Sequence, residues 1–305
     1  MNKDQNIDLI ADKIESRADV IDNRYNKDIN KEFDELEDII NKEIKNETKE
    51  DNNLDNIGSV EEIKDFITEI DTLQTNSTHE LIIKRLQKLN VPYYSNSNIS
   101  AYISDEEREQ LISEAAEAYA KFMKCLCIDI ENDPNAHDSP RRVSKQFINE
   151  LMRGRYFPAP AATSFPNVHT GKETGFTGLL VVKAEIKSLC SHHHQNVFGT
   201  AYIGIIPDDK VIGLSKYTRL AQWCARRGTL QEELAEDIAN TIKEYTGSEH
   251  ISVLIEGRHQ CCEARGILAH DSTTITTVLK GDFLTDSTLR KEFHDNVMYQ
   301  KMNKN

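Results

Sequence analysis

Residues 179–206 read LLVVKAEIKSLCSHHHQNVFGTAYIGII, two β-rich runs on either side of a cluster of cysteine and histidine. The runs 179–187 and 197–206 are rich in residues that favour strands, and the Pro-Asp-Asp that follows the second run is a turn signal. We therefore predict two consecutive strands. Cys190 and His193 are three residues apart at the end of the first strand, where a loop can turn both side chains inward.

The next part of the chain predicts two helices and then two more strands. Segments 216–227 and 231–245 are helical in pattern, and the second has apolar residues along one face. Segment 251–256 is predicted to be a strand ended by Gly257, and 273–279 a Thr-rich strand. Strands, then helices, then strands are typical of an α+β unit, an antiparallel sheet with helices packed on one face.

The chain before these strands is predicted to be an N-terminal helical region. Segments 79–89, 105–127 and 141–153 are the predicted helices, and the acidic first turn of the second suits the helix dipole. Pro140 lies near the first position of the third helix, where proline is favoured. Segment 156–166 is a Pro- and Ala-rich connection.

These patterns divide the chain into an acidic, Asn-rich extension at 1–78, a helical region at 79–155 and a C-terminal domain at 156–305. The net charge is −14, and residues 1–75 hold 22 acidic and 10 basic residues, so the acidity belongs to the extension. Its apolar stripes leave two interpretations open: amphipathic helices that pack on each other or on a partner, and a mobile charged segment. A partner that regulates or tethers the protein through residues 1–78 is a hypothesis on the same basis.

The composition argues against several classes of protein. No basic stripe stands out, which argues against a nucleic-acid partner. No apolar run approaches the roughly 20 residues that cross a bilayer, and the polar N-terminus has no secretory pattern, so no membrane partner is expected. The six cysteines show no disulfide framework, and reduced thiols fit a cytoplasmic location.

Cysteine and histidine occur together on two separate segments. Cys190 is followed by three histidines, and His259-Gln260-Cys261 comes about 70 residues later. His259 and Cys261 are two apart on a predicted strand, so they should point to one face. Two thiols and these imidazoles can form a Cys₂His metal site, which keeps a fourth position open as catalytic zinc sites do. The alternative is an incidental His-rich turn beside a buried cysteine.

Two helix starts offer groups for a nucleotide. Ser215 can cap the helix that follows it, and helix-start amides with Lys216 and Arg219 make an anion pocket suited to phosphates. At the next helix start, Gln231 and Glu232 can donate and accept along the edge of a guanine. Each pattern alone is also typical of an ordinary solvated helix end.

Taken together, these motifs resemble those of GTP cyclohydrolase I, the zinc-dependent type, in order and spacing. The motifs are Ser188-Leu189-Cys190-Ser191-His192-His193, Ile212-Gly213-Leu214-Ser215-Lys216, Arg226-Arg227 with Leu230-Gln231-Glu232, and His259-Gln260-Cys261 with Arg265-Gly266. Segments 139–143 and 271–279 also resemble the family. The resemblance covers roughly residues 105–298.

The resemblance implies a tunnelling fold for the catalytic domain, 156–305, with sites between the subunits of a homo-oligomer, a decamer of two pentamers. It implies zinc held by Cys190, His193 and Cys261. It implies acid–base roles for His192 and His259. It implies a substrate site for GTP, with guanine at Gln231 and Glu232 and the triphosphate at Lys216, Arg219 and Arg265, with Ser215 beside them. It implies phosphate-side groups from a neighbouring subunit, Arg142 and Lys145.

The reaction implied by the resemblance begins with attack of zinc-activated water on C8 of the guanine base. Formate leaves, and the remaining atoms close into 7,8-dihydroneopterin triphosphate, a precursor in a folate, tetrahydrobiopterin or 7-deazaguanine pathway. Another tunnelling-fold enzyme acting on a related purine or pterin, and a non-catalytic zinc-containing scaffold, are the alternatives.

Three positions depart from the family pattern. Ser191 stands where the family has Glu, Asn196 where it has Pro, and Glu233 where it has Arg. A carboxylate beside the metal can tune a site through its outer contacts, so Ser191 could change rate or metal affinity. No predicted ligand and neither histidine is lost, so we expect a functional but divergent enzyme.

Overall fold

The structure is a computed structural model that describes residues 77–168 and 175–302. The described chain forms two compact units, one made of 77–92 and 100–144 and the other of 93–99, 145–168 and 175–302. Apart from its last two residues, the extension at 1–78 lies outside the described residues. The domain boundaries after 78 and 155 therefore stay predictions.

The first unit is helical, as the sequence predicts. Its elements are α1 Thr78–Lys88, a 3₁₀ turn Ser100–Tyr102, α2 Asp105–Cys125 and the first part of α3 Ser139–Gln146. Ser104 caps α2: its Oγ accepts from the Glu107 amide, and the Glu107 carboxylate accepts from the Ser104 amide at 2.8 Å. The Glu107 carboxylate also accepts two hydrogen bonds from Arg85 at 2.8 and 3.0 Å. One side chain thus starts α2 and ties it to α1.

The predicted helix 141–153 is wrong in its second half. A π-helical turn, Phe147–Leu151, follows α3, and a separate short helix, α4 Arg153–Tyr156, comes after it. Just after the break, at Gly154 of α4, an added Cβ would lie 2.0 Å from the carbonyl oxygen of Trp223. The Gly154 amide donates to the Arg226 carbonyl at 2.7 Å, so the backbone of α4 approaches that of residues 223–226 closely.

The second unit contains all the strands of the described residues. It continues with β1 Ser164–Pro166, β2 Leu180–Cys190, β3 Asn196–Ile205, β4 Lys210–Ile212, α5 Leu214–Ala225, β5 Gly228–Thr229, α6 Gln231–Thr246, β6 Ile251–His259, α7 Gln260–Glu263, β7 Thr274–Leu279, α8 Asp282–Thr285 and α9 Ser287–Met302. The main sheet has the order β5-β2-β3-β6-β7, and β1 pairs with β4 in a small second sheet. The long ladders of the main sheet are antiparallel, which confirms the predicted α+β class.

The main core lies between the sheet and two helices. Alternate strand residues such as Ile203, Val253 and Ile255 are fully buried against α5 and α6. The residues between them point to the other face, where Tyr202 and Leu254 form a smaller cluster with α9. The period of two in the strands therefore assigns one side of the sheet to α5 and α6 and the other to α9.

The register of the sheet brings three segments to one end of it. Val197 of β3 pairs with Ser188 of β2 on one side and with His259 of β6 on the other. Cys190, the last residue of β2, pairs with Thr229 of β5, two residues before α6 begins. Gly257 does not end β6 as predicted, because it pairs with Gly199 and the strand continues to His259.

Candidate metal and substrate site

The structure brings together the side chains of Cys190, His193 and Cys261. Their ligand atoms all lie within 4.8 Å of one another. Cys190 is buried at the end of β2, and the following turn is closed by two backbone hydrogen bonds of 2.9 Å, from Cys190 to Gln195 and from His194 to Cys190. This turn carries His193 back towards the sheet end.

The donor set fits a metal ion. Two thiolate sulfurs and one imidazole nitrogen are ligands that zinc prefers, and three ligands leave a fourth position open. Burial and the neighbouring thiol of Cys190 raise the pKa of Cys261 to about 11. A divalent cation at these donors would reverse that effect, because it stabilises the deprotonated thiols. The group is therefore chemically consistent with a metal that the two thiols bind as thiolates.

The prediction that Cys261 lies on a strand is wrong. The chain turns into the short helix α7 directly after His259. A buried carboxylate holds this turn. Glu263 accepts from Arg258 at 2.8 and 3.1 Å and from the Gln260 amide group at 2.9 Å. The hydrogen bonds from Arg258 hold the pKa of Glu263 below its ordinary value. The turn that carries Cys261 is thus fixed by an ion pair that spans it.

His259 is half-buried and hydrogen-bonded on one side. Its Nε2 lies 2.8 Å from Oε1 of Gln231. Burial lowers the pKa of His259, while the carboxylates of Glu232 and Glu263 act in the opposite direction. The imidazole is therefore neutral at a pH near 7, the state in which a histidine can accept a proton.

His193 is exposed, and so are the other two histidines of the turn. The rings of His192 and His193 meet edge to face with their centroids 6.3 Å apart, and the ring of His194 lies 5.8 Å from that of Phe147. His192 is thus next to a predicted ligand while its own ring remains open to solvent.

Gln231 is buried, with 5 % of its surface exposed, and its side chain is bonded within the protein. Its Nε2 donates to the carbonyls of Ile255 and Thr274 and to Oγ1 of Thr276, at 3.3, 3.0 and 3.2 Å. Glu232 is exposed beside it. In the predicted guanine-reading pair, the Gln231 side chain is therefore hydrogen-bonded within the protein, whereas the Glu232 side chain is exposed to solvent.

The predicted phosphate residues lie at the start of α5 and after α7. Gly213, rather than Ser215, is the N-cap residue of α5, so the predicted capping role of Ser215 is wrong; Ser215 lies inside the first turn. Lys216 donates to the Ala161 carbonyl at 2.9 Å. Within the described residues, Lys216, Arg219 and Arg265 form no ion pair, so their charges remain available to an anion.

The remaining two predicted residues lie on α3. Arg142 pairs with Asp138 at 3.1 Å and both side chains are largely exposed, while Lys145 is exposed on the next turn. Their assignment to a neighbouring subunit's site stays a prediction.

Three residues near the site were missed by the sequence analysis: Gly257, Glu263 and Thr276. An added Cβ at Gly257 would lie 2.3 Å from Oε1 of Gln231, so only glycine leaves room for that amide. A glycine inside a strand often marks such a close approach, and this signal was available in the sequence. Glu263 and Thr276 had no comparable signal, because their partners are fixed only by the fold.

Comparison with known proteins identifies the chain. The sequence model of the GTP cyclohydrolase I family matches residues 115–298. A GTP cyclohydrolase 1 of Buchnera aphidicola subsp. Schizaphis graminum is 34 % identical over 193 residues, 63 % of this chain and 84 % of its own. That of Campylobacter lari is 46 % identical over 155 residues, 51 % of this chain and 80 % of its own. That of Erwinia tasmaniensis is 34 % identical over 199 residues, 65 % of this chain and 86 % of its own.

A match to a solved structure, that of the archaeosine synthase QueF-Like in the apo form, covers 34 % of this chain and 93 % of its own at 16 % identity and a TM-score of 0.29. The antiparallel sheet, its packed helices and the Cys-His-Cys group at the sheet end are those of a tunnelling-fold protein that can hold a metal. The chain belongs to the GTP cyclohydrolase I family. None of the helices in the described ranges has the length and hydropathy needed to cross a bilayer.

Proposed function

We propose that this protein is a GTP cyclohydrolase I. It opens the imidazole ring of the guanine base of GTP with water, releases formate and closes the remaining atoms into 7,8-dihydroneopterin triphosphate. The observation that carries the proposal is the convergence of Cys190, His193 and Cys261 within 4.8 Å at the sheet end where β6 delivers His259. Membership of the family supports the same reaction.

We infer that the cofactor is zinc, held by Cys190, His193 and Cys261. When bound, zinc supplies Lewis-acid activation of water near neutral pH. The chain's contribution is to hold the three donors on rigid elements: one ends β2, one lies in a closed turn, and one lies in the braced helix α7. Metal analysis after anaerobic purification separates zinc from iron, which accepts the same donors.

We assign the proton transfers of ring opening to His192 and His259. His259 is half-buried and neutral near pH 7, because burial lowers its pKa, so it can accept a proton from a reacting group. His192 is exposed and can exchange protons with solvent. A pair with one sheltered and one solvated imidazole can move a proton from the reacting atoms to water.

We assign the nucleotide to the groups around the start of α5. Lys216, Arg219 and Arg265 are cations without a carboxylate partner in the described residues, which suits them to a triphosphate. Ser215 lies beside them, and Glu232 is exposed at the start of α6 to accept from the guanine edge. Anchoring the triphosphate would fix the position of C8 and lower the entropic part of the barrier.

We infer that the protein is a homo-oligomer, a decamer of two pentamers with sites between subunits to which Arg142 and Lys145 contribute. In the described part of the chain, β7 is an edge strand of the main sheet, and Ile275 on it is 57 % exposed. An exposed edge strand with an apolar side chain is a surface on which a second copy can continue the sheet. Light scattering should give a decamer mass; a fully active monomer would contradict this inference.

We propose a cytoplasmic location. All six cysteines are free thiols, and two of them belong to the predicted metal group, which requires them reduced. Cell fractionation tests this directly, and recovery of the protein from an oxidising compartment would contradict it.

The test of the function is incubation of the anaerobically purified protein with GTP while formate and the fluorescent neopterin product are measured. We expect both products, their loss after chelation and their return with zinc. Comparison of GTP with guanosine and dGTP separates this reaction from that of a related enzyme on the same fold. Bound metal with no product from any of them would support a non-catalytic scaffold.

The hypothesis that residues 1–78 regulate or tether the enzyme is tested by deleting them. An unchanged oligomer size, unchanged kinetics and unchanged partner binding would contradict it.

A further inference from the structure

Strand β5 is too short to hold its own position in the sheet. Its two residues, Gly228 and Thr229, pair in parallel with Leu189 and Cys190 of β2. Strands in globular proteins usually have about five or six residues, and parallel pairing is slightly weaker per residue than antiparallel pairing. Both residues of β5 are nevertheless buried. Contacts outside the sheet must therefore hold β5 beside Cys190, a residue of the predicted metal group.

Residues 93–99, called the strap below, lie against the chain that leads into β5. An added Cβ at Gly228 would lie 2.0 Å from Oγ of Ser95, so the strap comes this close only because position 228 has no side chain. The next residue towards α5, Arg227, is buried and donates a hydrogen bond to the Asn96 carbonyl at 3.3 Å. The strap therefore contacts β5 directly and through the arginine before it.

Helix α4 anchors the strap. Arg155 donates hydrogen bonds to three carbonyls of the strap, those of Tyr93, Tyr94 and Ser97. Nδ2 of Asn98 donates at 2.8 and 2.9 Å to two carbonyls of the α4 region, those of Gly154 and Phe157. The Ile99 amide donates to the Arg155 carbonyl at 2.9 Å. Because a guanidinium carries several donors in a rigid plane, it can hold neighbouring carbonyls in one arrangement, and the strap has a defined path.

The same helix is bonded to the end of α5, which completes a ring of contacts. The Gly154 amide donates to the Arg226 carbonyl at 2.7 Å, and Nε1 of Trp223 donates to the Phe157 carbonyl at 3.0 Å. The guanidinium of Arg227 lies 3.9 Å from the centre of the Trp223 ring, a favourable stacking that fixes its direction. Contacts therefore run from α4 to the strap, from the strap to Arg227, and from the end of α5 back to α4.

We propose that the strap is a positioning element that holds β5 against β2 and so fixes Cys190 in the predicted metal group. Arg227 is then a positioning residue, which acts on the metal group through β5. The inference rests on the proposed function and deepens it, because it names the contacts that keep a predicted ligand in place. A displaced strap should weaken metal binding, since contacts behind a ligand typically change metal affinity about 10- to 100-fold.

Zinc affinity, measured by competition with a chelator, tests the strap through a pair of variants. Gly228→Ala places a methyl group against Ser95, and we expect about a tenfold loss of affinity. Ser95→Gly removes the opposing atoms, so the double variant should return to within about twofold of wild-type affinity. This recovery would identify the contact between the strap and β5 as the cause of the loss.

A second variant removes the hydrogen bond to the strap. Arg227→Met keeps the length of the side chain but loses the donor to the Asn96 carbonyl, and we expect about a tenfold loss of zinc affinity. Arg226→Met is the matched control, because the side chain of Arg226 donates to the Glu150 carbonyl instead, and it should bind zinc as the wild-type protein does. Melting temperature is measured for every variant.

Hydrogen exchange, measured by mass spectrometry on the purified protein, gives a readout that does not depend on turnover. In Gly228→Ala and Arg227→Met, amides of 187–190 and 228–230 should exchange about tenfold faster, while those of the β3–β6 ladder keep their wild-type rates. Wild-type exchange at 187–190, unchanged zinc affinity in both variants, or equal acceleration in every strand would overturn the proposal. If GTP gives no product, the proposed function fails, and exchange with zinc affinity still decides the role of the strap.

Discussion

The end of the sheet and the start of α5 differ in how their polar side chains are held. At the sheet end, Gln231 is 5 % exposed and uses both ends of its amide within the protein. At the start of α5, Lys216 and Arg219 have no carboxylate partner among the described residues, and Arg219 is exposed. Gln231 and His259 are therefore held by each other before substrate arrives, whereas Lys216 and Arg219 have no carboxylate partner among the described residues. Fixed reacting groups lower the cost of reorganisation during the reaction.

The largest effect should follow from removing a predicted metal ligand at the sheet end. Cys261→Ala should lose the metal, and turnover should fall on the order of 10³-fold or more, because activation of water is lost with it. Metal content by mass spectrometry and formate release check both effects. Cys262→Ala is the control, one residue away and outside the Cys-His-Cys group; equal losses in the two variants would contradict the ligand assignment.

The next effect should be confined to catalysis. His259→Ala should keep its metal and lower kcat on the order of 10²- to 10³-fold, as expected for loss of a proton-transfer group. Single-turnover kinetics with GTP and metal analysis measure this. His270→Ala, at an exposed histidine after α7, should retain wild-type rates. A His259→Ala variant with full turnover would show that its hydrogen bond to Gln231 serves only the fold.

A smaller effect, on GTP binding rather than on catalysis, should follow from removing a cation at the start of α5. It would sharpen the contrast between that region and the sheet end. Lys216→Ala should raise KM for GTP about tenfold with kcat within about twofold, since one charge-assisted contact is worth about 1.5 kcal/mol or somewhat more. The loss should shrink at high salt and be absent with guanosine, which has no phosphates. Lys210→Ala, at an exposed lysine of β4, is the control. A fall in kcat with an unchanged KM would contradict the assignment of Lys216 to GTP binding and would indicate a role in catalysis.

The smallest effect should come from the brace behind the metal group. Glu263→Gln keeps the shape of the side chain but weakens its hydrogen bonds with Arg258, and we expect about a tenfold loss of metal affinity, as for other contacts behind a ligand. Competition with a chelator measures it. Glu256→Gln breaks a comparable ion pair, with Lys301 at 2.7 Å, and should leave metal affinity unchanged. Equal affinities in all three proteins would show that α7 needs no brace.

The sequence predicted what depends on local pattern. The β-rich composition of 179–187 and 197–206 corresponds to β2 and β3, and the apolar face of 231–245 corresponds to α6. The candidate metal group was predictable too, because two short motifs, 190–193 and 259–261, contain all three of its residues.

What the sequence did not predict depends on partners far away in the chain. Helix α9 buries only Phe293 and Val297, too few for a clear stripe, and β5 is two residues long. The turn of α7 depends on the pair Arg258–Glu263, and the orientation of Gln231 depends on carbonyls of two strands. No local periodicity encodes such contacts, so they appear only once the register of the sheet is known.

Strand β5 has a consequence for the order in which the molecule assembles. Its two residues pair with Leu189 and Cys190, so the pairing closes a loop that contains β3, β4 and α5. Two residues supply little pairing energy to offset the closure of a long loop. We therefore expect this junction to form late in folding, after the long ladders, and Cys190 to remain open to alkylating reagents until then. The thiol that anchors the metal group would be among the last parts of the chain to find its neighbours.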